Sequence, residues 1–142
     1  KERITEFLKE GGYEVIDCGA HEYDENDDYP DYVIPVARAV SQNPNNVRGI
    51  VLGGSGQGEA MTANKFLHVR AMVYYGPAHS QTANVTNLEL ARQHNDANIL
   101  ALGARFITDD EAVEAVRTWL DTPFSNGERH KRRINKMDRI HG

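Results

Sequence analysis

The sequence predicts an α/β fold, a three-layer sandwich in which helices cover both faces of a parallel sheet. Three observations carry this. Short apolar runs alternate with helical patterns along the chain. Two capping boxes, at Thr86 and Thr108, open helical stretches among them. A glycine-rich turn, Gly53-Gly54-Ser55-Gly56-Gln57-Gly58-Glu59, joins an apolar run to a helical one. Strands that alternate with helices need crossover connections, which produce parallel sheets buried on both sides. The arrangement is Rossmann-like, and it places a ligand at the C-terminal ends of the strands.

The elements follow in order. Residues Glu2 to Glu10 read as a helix that stops at Gly11-Gly12. Tyr13 to Cys18 alternates in polarity and reads as a strand. His21 to Asp28 is an acidic loop. Tyr32 to Ser41 reads as a helix, and Val47 to Leu52 as the strand before the glycine turn. A helix begins at Glu59, and Val69 to Tyr75 is a further apolar run read as a strand. Thr86-Asn87-Leu88-Glu89 matches a capping box and opens a helix to about Gln93. Ile99 to Leu102 is a short strand. Thr108-Asp109-Asp110-Glu111 is a second capping box, opening a helix to Leu120. Glu128 to Ile140 reads as a final charged helix. A sheet of this kind usually starts with a strand, whereas this order starts with a helix. We therefore expect a first strand upstream of Lys1, missing from this chain.

The bulk numbers bound the function. A chain of 142 residues fits one domain with a real core. A net charge of -5 argues against a general nucleic-acid binder. No apolar run is long enough for a membrane span, and no leader is visible. The single cysteine, Cys18, excludes an internal disulfide, fits a reducing cytoplasm, and reads as packing at a strand end. The acidic loop lacks the glycine and the final carboxylate of a calcium loop, and no histidine pair has zinc spacing.

Chemistry concentrates at the glycine turn. Such a turn lets backbone N–H groups converge on one point, beside the positive end of the following helix. Glu59 at its end suggests proton abstraction next to a carbonyl, with the resulting oxyanion held by amides. The dinucleotide, phosphate-loop and nucleophile-elbow patterns all fail on spacing. A plain tight turn, with Glu59 favoured only by the helix dipole, fits the local pattern equally well. His94-Asn95 reads either as a proton donor with a polar anchor or as a helix C-cap. Arg129 and Arg133 share a helix face and can grip a phosphate, or they belong to a solvated basic face.

Together these segments resemble the ribose-5-phosphate isomerase B family, which also includes the subunits of galactose-6-phosphate isomerase. The resemblance rests on Asp28-Tyr29-Pro30-Asp31-Tyr32, the glycine turn followed by Ala63-Asn64-Lys65, Ala91 to Asn98, Leu102-Gly103-Ala104-Arg105 and Arg129-His130-Lys131-Arg132-Arg133. It implies interconversion of ribose 5-phosphate and ribulose 5-phosphate without metal or other cofactor. One branch of the family uses a cysteine base at the position of Gly53. The branch resembled here uses the glutamate, which is Glu59. The resemblance further implies ring opening by His94 and substrate anchoring by Asn95 and Tyr29. It implies phosphate binding by Arg105, Arg129 and Arg133 near His130. Ser55 and the turn at Gly54, Gly56 and Gly58 would hold the enediolate. A homodimer or dimer of dimers with shared sites is implied as well. The family begins with a strand ending in Asp-His, which would precede Lys1. The alternatives are a hexose-phosphate isomerase, acting on galactose 6-phosphate or allose 6-phosphate, and a non-catalytic sugar-phosphate binding protein.

Overall fold

The computed structural model describes residues 1–82 and 84–141. Among these, three strands form one parallel sheet and six α-helices surround it. The strands are β1 (Gly49–Gly53), β2 (Ala71–Tyr74) and β3 (Ile99–Gly103), in spatial order β1-β3-β2. Gly49 and Ala71 both lie beside Ile99, and Gly53 lies beside Gly103, so all three strands start at one edge and end at the other. The helices are α1 (Glu2–Glu10), α2 (Tyr29–Gln42), α3 (Gln57–Ala63), α4 (Asn87–Asn95), α5 (Asp109–Asp121) and α6 (Glu128–Asp138).

Side-chain alternation along the central strand builds two cores. Leu100 and Leu102 point to one face, where Ile4, Leu88, Val116 and Trp119 from α1, α4 and α5 pack on them. Ile99 and Ala101 point to the other, against Val33, Ala37 and Val40 of α2 and Ala60 and Ala63 of α3. Every residue of β3 is buried, as expected of a central parallel strand. Trp119 is the largest fully buried side chain, and cutting one such aromatic to alanine typically costs about 3–5 kcal/mol.

The helix ends follow local chemistry. After α1, Gly12 takes φ 85°, with Gly12 N–H donating to Lys9 C=O and Tyr13 N–H to Leu8 C=O. This is a Schellman stop, which satisfies the last carbonyls of the helix. Thr86 and Thr108 cap α4 and α5, their hydroxyls accepting from Glu89 N–H at 3.3 Å and Glu111 N–H at 3.1 Å. Helix α2 starts earlier than the pattern predicts, at Tyr29, because Pro30 in its first turn has a helical φ already fixed.

One expected element is not there. Residues 13–18 form no strand and run as irregular chain, with Tyr13 and Ile16 48% and 79% exposed. Alternation supplies the face of a strand, but a strand exists only in a ladder, and this segment pairs with neither β1 nor β2. Cys18 is half-buried in the same irregular stretch and so does not close a strand.

Candidate functional site

At the C-terminal edge of the sheet the glycine turn leaves β1 and enters α3. Gly56 is left-handed at φ 77° and packs on β3, where an added Cβ would lie 3.2 Å from the Ala101 carbonyl. Ser55 Oγ accepts from Gln57 N–H at 3.3 Å, closing the turn. The ladder between β1 and β3 continues past the strands, with Ala104 N–H donating to Gly53 C=O at 2.8 Å and Arg105 N–H to Gly54 C=O at 3.1 Å.

The glycines here make room for side chains. A Cβ on Gly53 would overlap the carboxylate of Glu59, which is only 6% exposed. A Cβ on Gly58 would overlap the Tyr29 hydroxyl, so the phenol of Tyr29 lies directly on the turn. A Cβ on Gly54 would stand 2.9 Å from Arg105 Nε, so that guanidinium lies along the turn as well. The structure thus brings together Tyr29, Gly54, Ser55, Gly56, Gly58, Glu59 and Arg105. A nearly buried carboxylate, a guanidinium, a phenol and a hydroxyl meet there around a turn whose glycines are buried or half-buried.

The other predicted residues form a second cluster. His94 and His130 stack with ring centroids 4.2 Å apart and planes 13° from parallel. Burial pulls His130 below the ordinary imidazole range, and the nearby His94, Arg129 and Arg133 push the same way. Asn95 is the last residue of α4, and the left-handed cap is Asp96, at φ 47°, rather than Asn95. Buried Arg92 fixes this corner, donating to Asp96 Oδ1 at 2.8 Å, Ala97 C=O at 2.7 Å and Thr122 C=O at 3.0 Å. Arg70, just ahead of β2, donates through Nε to Asn95 C=O at 2.8 Å.

That last bond places the His94 cluster at the N-terminal edge of the sheet, opposite the glycine turn. The five-residue strands between the two edges are about 15 Å long at ~3.3 Å per residue. The structure therefore does not join His94, Asn95, Arg129, His130 and Arg133 to Glu59 within one chain. Sequence reading also missed Gly53 as the position that houses the Glu59 carboxylate. A glycine closing a strand ahead of the turn was the available signal. Among the described residues, no group of three or more His, Cys, Asp or Glu side chains is placed to hold a metal ion. No helix among them is long and apolar enough to cross a membrane.

Fold and site define an α/β protein with a glycine turn and a nearly buried carboxylate at the C-terminal edge of a parallel sheet. The model of the Ribose/Galactose Isomerase family matches residues 1–137. Ribose-5-phosphate isomerase B of Mycobacterium tuberculosis is 42% identical over 135 residues, 95% of this chain and 78% of that protein. The probable ribose-5-phosphate isomerase B of Mycoplasma genitalium is 41% identical over 139 residues, 98% of this chain and 86% of that protein. The crystal structure of the Mycoplasma genitalium enzyme with bound ribulose-5-phosphate superposes with a TM-score of 0.88 at 40% identity, covering 99% of this chain and 87% of that one. Ribose-5-phosphate isomerase B of Clostridium thermocellum superposes at 0.83 with 43% identity, covering 99% and 87%. The chain belongs to the ribose/galactose isomerase family.

Proposed function

We propose that this protein interconverts ribose 5-phosphate and ribulose 5-phosphate in a cytoplasmic setting, as a single isomerase domain that works as a homodimer or a dimer of dimers. The observation that carries the reading is the Glu59 carboxylate, nearly buried in the space left by Gly53 at the mouth of the glycine turn. A carboxylate so placed accepts the C2 proton of the open-chain aldose and returns it to C1. The intermediate enediolate carries its charge on oxygen, where the turn amides at Gly54, Gly56 and Gly58 and the Ser55 hydroxyl receive it. Tyr29 borders the sugar. Ring opening requires a proton donor at the ring oxygen, and His94 takes that role with Asn95 as anchor. Arg129 and Arg133 hold the phosphate with His130 beside them, and Arg105 reaches it from the glycine-turn side. No metal or other cofactor has a part in the scheme.

The sharing of sites rests on the placement of the two clusters. One chain holds Glu59 at one edge of its sheet and His94 at the other, which supports a reading in which α4 and α6 of a second copy complete each site. Mixing two inactive variants tests this. Glu59→Gln and His94→Asn, unfolded and refolded together, should regain roughly a quarter of wild-type activity, because random pairing leaves hybrids with one intact site of two. No recovery in verified hybrid dimers would place both groups in one chain's site.

A further inference from the structure

His68 and Asp138 are each poorly suited to their positions, and they touch one another. His68 sits in the turn between α3 and β2 with φ 65°, a left-handed backbone that side-chain-bearing residues adopt only at a cost. Glycine would fit there without strain. The conformation is locked, since the His68 carbonyl accepts from Asn98 Nδ2 at 2.8 Å and from Arg70 Nη1 at 3.3 Å. Asp138 is the last residue of α6, where the helix dipole disfavours an anion. His68 Nδ1 lies 3.1 Å from Asp138 Oδ2. Neither residue is explained by its own element, whereas the pair explains both.

The pair bridges a cleft. Helix α6 is tied to α4 at its start, where Ser125 N–H and Oγ donate to Gln93 C=O at 3.1 and 2.7 Å and His130 stacks on His94. Ile134 is its single buried residue. Along the flank a cleft of about 430 Å³, lined by Arg70, Asp96, Phe124, Ile134 and Asn135 among others, separates the helix from the body. His68 and Asp138 also line this cleft, at the far end of α6 from Ser125. Among the described residues, this pair is the one polar side-chain contact between the last turn of α6 and the body.

We infer that the His68–Asp138 pair is a positioning clamp for α6. It fixes the helix axis, and with it the direction in which Arg129 and Arg133 project toward a phosphorylated substrate. The inference rests on the proposed reading that α6 supplies the phosphate ligands. The test compares His68→Gly and Asp138→Asn with the wild type, using KM for ribose 5-phosphate, the inhibition constant of inorganic phosphate, kcat and the thermal midpoint. A partly exposed polar contact is worth little, so KM and the phosphate constant should rise together by about three- to fivefold while kcat stays near wild type. His68→Gly should not lower the thermal midpoint, because it removes the backbone strain. The double variant should be no worse than either single one, and Asp138→Glu should recover part of the loss. A lowered midpoint with unchanged KM and phosphate constant would make the pair merely structural and overturn the clamp. If Arg133→Ala also left phosphate inhibition unchanged, the reading of α6 itself would be at fault.

Discussion

Replacing Gly53 with alanine adds one methyl group and should disable the proposed base without touching it chemically. The new Cβ would overlap Oε1 of Glu59 and lie 2.6 Å from Oε2. Carbon and oxygen rest comfortably at about 3.5 Å, so the carboxylate must withdraw by about 1.5 Å. It has little room to do so, being nearly buried on a short helix against β1 and β3. A misplacement of about 1 Å can cost about 100-fold in rate, equivalent to ~2.7 kcal/mol of barrier. Overpacking should lower stability by about 1–3 kcal/mol. Of the proposed phosphate ligands, Arg129 and Arg133 lie at the other edge of the sheet, and the atoms nearest the new Cβ belong to Glu59 rather than to Arg105, so KM should change little. Steady-state kinetics in both directions, alongside urea unfolding, read both effects. A folded Gly53→Ala protein with kcat within twofold of wild type would refute the reasoning, since the base would then not depend on the space that this glycine leaves.

Three further predictions concern the basic cluster. Arg133→Ala should raise KM and weaken inhibition by inorganic phosphate by at least tenfold, because a charge-assisted contact is worth about 1.5–3 kcal/mol; unchanged values would return Arg133 to a solvated face. His130 binds its proton less readily in the folded protein than in the unfolded chain, through burial first and then His94, Arg129 and Arg133. Its contribution to stability is therefore full above the ordinary histidine range and is lost as pH falls through that range toward the depressed folded value. Thermal midpoints measured from pH 7.5 to 5 should fall less steeply in His130→Asn than in wild type. Parallel curves would contradict the depressed value. Inorganic phosphate should shift the His130 titration upward by NMR, since a bound dianion favours the imidazolium.

Local chemistry made much of the fold legible. The Thr86 and Thr108 caps, the Gly12 stop and the buried run at Ile99 to Leu102 each depend on residues a few positions apart, and each stands where the sequence places it. The segment 13–18 was misread because alternation encodes a face but not a partner, and the partner of a strand is remote in sequence. The glycine turn was legible as a turn and Arg105 as a residue at a neighbouring strand end, whereas the direct convergence of Tyr29 and Arg105 on the turn was not. That convergence needs α2 to begin above Gly58 and the β3 ladder to carry Arg105 over Gly54. The separation of His94 from Glu59 could have been read from topology alone. A helix that leads into a parallel strand ends at that strand's start, and Glu59 follows the end of another. Arg92 and Asn98, buried among carbonyls as pins for the His94 corner, carry no sequence signature beyond their polarity.

The central claim is that Glu59 moves a proton between C1 and C2 of a pentose phosphate. Incubation of ribose 5-phosphate in deuterated water with wild-type protein and with Glu59→Gln, followed by NMR at C2 of the aldose and C1 of the ketose, tests it most directly. The wild type should form ribulose 5-phosphate and wash deuterium into these positions. Glu59→Gln should remain folded, bind inorganic phosphate as before, and lose both interconversion and exchange by about 10²-fold or more. Exchange at the wild-type rate in Glu59→Gln would show that another group carries the proton.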